Sequence, residues 1–250
     1  MANINYKLLV LFIAVFVVIA FFAVDYDLYH ASKPECIEIN NYCKVSDNDL
    51  LKNGSNAIYF ITWDKSPIGA ADSWAMYELL LRHGININNP YFDNSTSLLQ
   101  WPGTPALIFN SNYTFTYDKI KVEFYPEYIY NDISNNSNCI SSGLNRLKSM
   151  VPESIYNVVK TYTTDVLISG THYTSANFSA IPHINTVIII TGKYGSYIYN
   201  GYIIDPDDFI NSTSHSTYSP EYVFNLTRNN DFEAANVATA SIQSYLAKVI

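Results

Sequence analysis

Charge is what this sequence has least of. Only 14% of its 250 residues are Asp, Glu, Lys or Arg, against ~25% in an average soluble domain. The basic share is the smaller one: 14 Lys plus Arg face 22 Asp plus Glu, a net charge of −8 without a basic cluster. Nucleic-acid binding needs a cationic footprint to displace phosphate counterions, so no nucleic-acid partner is expected. Cysteine is scarce too. Cys36, Cys43 and Cys139 are the only three, and no pair has Cys-x-x-Cys spacing, which leaves neither a zinc ribbon nor a dithiol motif. The histidines, His30, His83, His172, His183 and His215, form no H-x-H or H-E-x-x-H set, so no metal and no cofactor is expected. What fills the chain instead is 48% apolar residues, with 27 Asn, 22 Tyr and many Ser and Thr. Such neutral polar groups keep their hydrogen bonds over a wide pH range, because they do not titrate. The length suits one large domain or two small ones.

The first segment carries the location. Leu8 to Val24 is an unbroken apolar run of 17 residues, with Lys7 before it and Asp25 and Asp27 after it. As a helix it is ~26 Å long, enough to cross a bilayer. The positive-inside rule puts the N-terminus in the cytoplasm and the rest outside. A signal peptide would end in a small-x-small site, and Ala20-Phe-Phe-Ala23 has the wrong spacing. The expected organisation is therefore a stub and single-pass membrane anchor over residues 1–27, a stalk over 28–55 and an extracytoplasmic domain over 56–250. Export permits glycan and disulfides. Asn-x-Ser/Thr acceptors stand at Asn53, Asn94, Asn112, Asn135, Asn177, Asn211 and Asn225. Cys36 and Cys43 are a candidate disulfide, with Cys43–Cys139 an alternative.

Within the domain, Ala57 to Trp63 is a β-rich run predicted as a buried strand. Ala71, Trp74, Ala75 and Leu79 follow at helical spacing, and Gly84 is a natural stop. Ile85 to Pro105 is rich in turn formers and predicted as loop. Short β-like pieces lie at 106–109, 113–117 and 120–124. A helical pattern over Leu144 to Thr161 is interrupted by Pro152. Val187 to Thr191 and Ser196 to Ile204 are predicted as a hairpin around Gly192 and Gly195. Asp205-Pro206 reads as a helix cap rather than a Ca²⁺ site, since an EF-hand's alternating ligands and distal Glu are missing. Phe232 to Val249 is an amphipathic helix.

The order of strand, turn, helix, further αβ material, Ile-Pro, hairpin and last helix resembles the thioredoxin arrangement. The stretch Asp64-Lys65-Ser66-Pro67-Ile68-Gly69-Ala70-Ala71-Asp72-Ser73-Trp74-Ala75-Met76 is similar to the active-site loop and first helix of a thioredoxin-like family of unknown function found in archaea and actinobacteria. That family reads Cys-Pro-Tyr-Cys-Ala-Ala-Glu-Arg-Trp-Ala-Leu there. Thr104-Pro105, Tyr113 to Phe124, Ala180-Ile181-Pro182 and the stretch around Asn236 resemble it in the same order. The resemblance implies an α/β thioredoxin-like sandwich, a central mixed sheet flanked by helices with inserted loops. It implies a cis-proline loop at Ile181 and Pro182, with the backbone of Ile181 open to a peptide strand. It also places the two redox cysteines at Ser66 and Gly69, where this chain has neither. Dithiol exchange needs one thiolate to attack and a second thiol to resolve, so Ser66, Pro67, Ile68 and Gly69 form a degenerate redox loop with no catalytic residue. Restoring cysteine at both positions is expected to bring some exchange activity. His183, just after Pro182, is expected as an exposed loop residue, a Ser66–His183 nucleophile pair being the less favoured reading.

Together these readings predict a membrane-anchored binding or structural module of the cell envelope, with a peptide or envelope protein as partner. The alternative is a thiol–disulfide oxidoreductase that uses Cys139 or the Cys36/Cys43 pair.

Overall fold

The computed structural model describes residues 38–95, 100–131, 133, 139–211 and 216–250. Eight strands and five α-helices occupy them. The strands are β1 Tyr42–Ser46, β2 Asn56–Thr62, β3 Tyr91–Asn94, β4 Pro105–Ile108, β5 Tyr113–Tyr117, β6 Ile120–Tyr128, β7 Val187–Gly192 and β8 Gly195–Asn200. The helices are α1 Pro67–Arg82, α2 Cys139–Met150, α3 Glu153–Lys160, α4 Pro220–Arg228 and α5 Glu233–Val249.

Six strands form one mixed sheet in the order β1-β8-β7-β2-β6-β5. β2 lies at its centre. It runs parallel to β6, with Tyr59 opposite Tyr125, and antiparallel to β7, with Tyr59 opposite Ile189. All seven of its residues are buried, because both faces are covered, and alternate side chains enter two separate cores. Ile58 and Phe60 pack with α1, α4 and α5. Ala57, Tyr59 and Ile61 pack with α2 and α3. The parallel β2–β6 pair needs a crossover, which α1 and the segment through β5 provide.

Helix α1 is buried along most of its length, from Pro67 to Leu80 with Ile68 the exception. Its outer side is closed by the small β3–β4 hairpin. The Trp74 indole N–H donates to the Pro105 carbonyl at 2.8 Å, and the Leu107 N–H donates to Ser73 Oγ at 3.0 Å. Lys65 pairs with Asp93 across the same junction at 2.6 Å. The helix ends where expected. Gly84 takes φ +79°, and the N–H of Ile85 returns to the Leu80 carbonyl at 2.9 Å, a left-handed turn that glycine adopts without a Cβ clash.

Several expectations need correcting. Part of the segment assigned to a stalk is integral to the sheet, since β1 is its edge strand, paired antiparallel with β8. The residues 91–94, predicted as loop, form β3. Helix α4 was not anticipated, and its cap is Ser219, whose Oγ accepts the Tyr222 N–H. Asp205 caps only a short 3-10 turn, Pro206–Phe209. The Pro152 break is found, between α2 and α3. Among the described residues no helix is long and apolar enough to cross a membrane; the run Leu8 to Val24 lies outside them.

Inside the α1 core the carboxyl of Asp72 is fully buried. Its Oδ1 accepts the N–H groups of Ile203 and Ile204 at 2.8 and 3.1 Å, joining α1 to the chain after β8, while Oδ2 has no partner. Burial pushes this carboxyl well above the usual range, which favours its protonated form in the fold. An unfolded Asp loses that proton above about pH 4, so the stability this group contributes is fully present below that pH and falls as pH rises. The limiting slope is about 1.4 kcal/mol per pH unit. Asp72→Asn keeps the Oδ1 acceptor and removes the slope. In urea unfolding the variant should gain on the wild type between pH 4 and pH 7; a difference that stays constant across that range would contradict a neutral Asp72.

Candidate functional site

The degenerate loop ends in a helix cap. Ser66 stands in extended conformation at the N-cap of α1, with Pro67 first in the helix, and its Oγ accepts the Gly69 N–H at 2.9 Å. Capping serine and N1 proline are what a helix start favours. Ser66 is only 2% exposed. Its Oγ lies 3.2 Å from Thr186 Oγ1, which lies 2.8 Å from Thr62 Oγ1. Three hydroxyls thus link the end of β2, the start of α1 and the entry to β7.

Gly69 is fitted against that chain. A Cβ built on it would lie 2.0 Å from Thr62 Oγ1 and 3.0 Å from Thr62 Cβ. The space a second cysteine would need is therefore filled by a threonine hydroxyl. A cysteine at 69 therefore requires Thr62 to move, which stands against cysteines at 66 and 69 reviving exchange by themselves.

Beside the loop opens a cavity of about 570 Å³, a size suited to a small-molecule or side-chain ligand. Ser66, Pro67 and Ile68 line one side, and Ser179, Ala180, His183, Asn185 and Thr186 another. Trp63, Trp101, Phe178 and Tyr202 supply aromatic wall, and Asn200 closes it. Among these residues there is no Asp, Glu, Lys or Arg. Trp101 is held at φ +57°, a conformation bulky residues rarely take. Its carbonyl accepts from Ser95 Oγ and Thr104 Oγ1 at 2.9 and 2.8 Å, and its indole N–H donates to Asp207 at 2.7 Å.

His183 is not the exposed residue expected. It is 4% exposed and packs edge-on to Trp63, ring centroids 5.6 Å apart. Its Nδ1 lies 2.7 Å from the Ile181 carbonyl. A carbonyl only accepts, so Nδ1 carries the proton and Nε2 the lone pair. Burial pushes the imidazole below its ordinary range, favouring this neutral form. His183 and Ser66 line one cavity without a hydrogen bond between them, because Ser66 Oγ is engaged by Gly69 and Thr186. That geometry does not make a nucleophile–base pair.

The bond between Ile181 and Pro182 is trans, as no described peptide bond is cis. The cis expectation is corrected. Side chains shape this loop instead: Ser179 Oγ donates to the Ile181 carbonyl at 2.6 Å, next to His183 Nδ1.

Neither Cys43 nor Cys139 lines the cavity. Cys43 is disulfide-bonded and buried on β1; Cys36 lies outside the described residues. Cys139 is buried behind Trp63, in a cluster with Ile133. No group of three His, Cys, Asp or Glu able to hold a metal ion occurs among the described residues. Of the glycan acceptors, Asn53, Asn94, Asn112, Asn177 and Asn225 are exposed and Asn211 is half-buried, while Asn135 lies outside the described residues.

Residues 41–248 match a family described as a domain of unknown function, DUF929. The chain belongs to the DUF929 family. The match begins within one residue of β1 and runs to the end of α5, so the edge strand is part of the DUF929 domain. No curated protein and no solved structure matches the chain.

Sequence reasoning reached Ser66, Gly69 and Pro182 but missed Thr62, Thr186 and the aromatic walls. The adjacency of Thr62-Trp63 to the loop was the available signal; Thr186, 120 positions later, reaches Ser66 only through the strand pairing of β2 and β7.

Removing the close approach at Gly69 offers a check. Gly69→Ala should cost about 1–3 kcal/mol through overpacking. Thr62→Ala in the same chain should recover part of that loss, giving a non-additive pair in denaturant unfolding. Strict additivity would mean that the two residues do not meet.

Proposed function

We propose that this DUF929 protein is a membrane-anchored, extracytoplasmic thioredoxin-like domain that binds a partner through the cavity beside α1 and performs no dithiol exchange. The topology supports the thioredoxin-like reading. Strands β2 and β6 are parallel through α1, the β7–β8 hairpin is antiparallel beside β2, and α1 and α5 share one core while α2 and α3 lie in the other. The observation that carries the non-catalytic reading is the Ser66–Thr186–Thr62 chain. It occupies the place where a dithiol would work, and the described lining of the cavity beside it carries no Asp, Glu, Lys or Arg. A serine hydroxyl stays protonated and forms no disulfide.

The test is reduction of insulin disulfides with dithiothreitol as electron source. The wild type should not exceed the reagent's own rate. Ser66→Cys with Gly69→Cys should stay near that rate, and adding Thr62→Ala should raise it by making room at 69. Robust wild-type turnover that vanishes in Cys139→Ser would promote the oxidoreductase reading.

The anchor rests on Leu8 to Val24 with Lys7 before it and Asp25 after it. Protease added to intact cells should digest a C-terminal tag, and protection that is lost only on lysis would reverse the topology.

A further inference from the structure

Counting protons around the cavity narrows what it can hold, an inference that rests on the binding reading above. The three hydroxyls of Thr62, Thr186 and Ser66 make two contacts with one another, at 2.8 and 3.2 Å. Each contact uses one hydroxyl proton, so one of the three is left unspent. On Thr62, which is 1% exposed and makes no other hydrogen bond, it would be a stranded buried donor. It therefore sits on Ser66 or Thr186, both of which line the cavity. Ser66 Oγ accepts from Gly69 either way. The wall thus offers a hydroxyl donor.

It also offers acceptors. His183 Nε2 bears a lone pair and makes no hydrogen bond, its Nδ1 proton being spent on Ile181. The amide of Asn185 donates from Nδ2 to the Ser175 carbonyl at 2.6 Å, and that of Asn200 donates from Nδ2 to Ser175 Oγ at 2.8 Å. Both commitments leave the Oδ1 atoms as acceptors without a partner, and neither atom is sealed in the core. A hydroxyl donor and three acceptors thus lie among four aromatic rings, beside the unpartnered Trp63 indole N–H, the Tyr202 hydroxyl and the Gln100 amide, and no described lining residue is Asp, Glu, Lys or Arg.

We propose that the cavity binds a neutral primary carboxamide carried on an apolar or aromatic body. Its carbonyl accepts the Ser66 or Thr186 hydroxyl. Its two N–H groups go to His183 Nε2 and to the side-chain oxygen of Asn185 or Asn200. A carboxylate has no proton for those acceptors and meets no cation among the described lining residues; an ester lacks the N–H groups. The amide can come from a glutamine or asparagine side chain of a peptide, or from an amidated terminus.

Trp63 and Trp101, two of the three tryptophans, line the cavity, so intrinsic fluorescence reports its occupancy. The full chain in detergent is titrated at pH 7 with N-acetyltyrosinamide, with the matching carboxylate and methyl ester, and with N-acetylglutamine N-methylamide. The tyrosinamide should saturate, with the carboxylate and ester at least tenfold weaker; the glutamine probe tells a side-chain amide from a terminal one. In His183→Leu the amide-over-ester preference should collapse toward one, and His183→Gln, which keeps an acceptor, should restore part of it. Because the preference is a ratio within one variant, partial misfolding does not imitate it. Equal binding of all three tyrosine probes, no saturation by either amide, or an unchanged preference in His183→Leu would overturn the carboxamide assignment. Insulin reduction decides the non-catalytic reading separately.

Discussion

The hydroxyl of Ser66 is the point on which the site turns. It caps α1 through the Gly69 N–H and reaches Thr186 at the entry to β7, and Thr186 reaches Thr62 at the end of β2. Helix start, central strand and neighbouring strand are therefore pinned by three neutral groups in contact with one another. Such a chain is insensitive to pH and redox conditions. It also sets how close α1 approaches the sheet, which is why only glycine fits at position 69.

The same economy of charge runs through the interior. The main core buries Asp72, a carboxyl that burial pushes toward its neutral form, and the described cavity walls use hydroxyl, amide and imidazole groups in place of ionised ones. Burying an ion costs several kcal/mol unless it is paired, and this chain has few ions to pair. The shortage of Lys, Arg, Asp and Glu evident in its composition is thus carried into its site. A cavity of this kind discriminates by hydrogen-bond direction and shape rather than by charge.

The additions to the sheet also bear on the site. The β3–β4 hairpin covers the outer side of α1, and the chain between its two strands presents Trp101 to the cavity, fastened by Asp207. Opposite, the loop before β7 presents Phe178, Ser179 and His183. Most of the cavity wall comes from these segments and from the start of α1, whereas the sheet contributes Asn200 at the end of β8, with Trp63 and Thr186 just outside β2 and β7.

Local chemistry in the chain determined much of the scaffold. The β-rich run before Trp63, the helix stopped by Gly84, the break at Pro152, the glycine-bounded hairpin and the final helix were legible because apolar spacing and turn residues act over a few positions. Strand β3 and helix α4 were not, since short polar segments such as Tyr91–Asn94 become ordered only against α1 and its neighbours. The loss of cysteine at 66 and 69 was equally plain. What replaced it was decided by tertiary structure. The Thr62–Thr186–Ser66 chain joins residues more than a hundred positions apart, the burial of His183 depends on packing against Trp63, and the trans bond at Pro182 is held in a loop shaped by Ser179 and His183. No periodicity encodes such contacts, because they exist only once the strands have paired and brought distant polar groups into a space where each needs a partner.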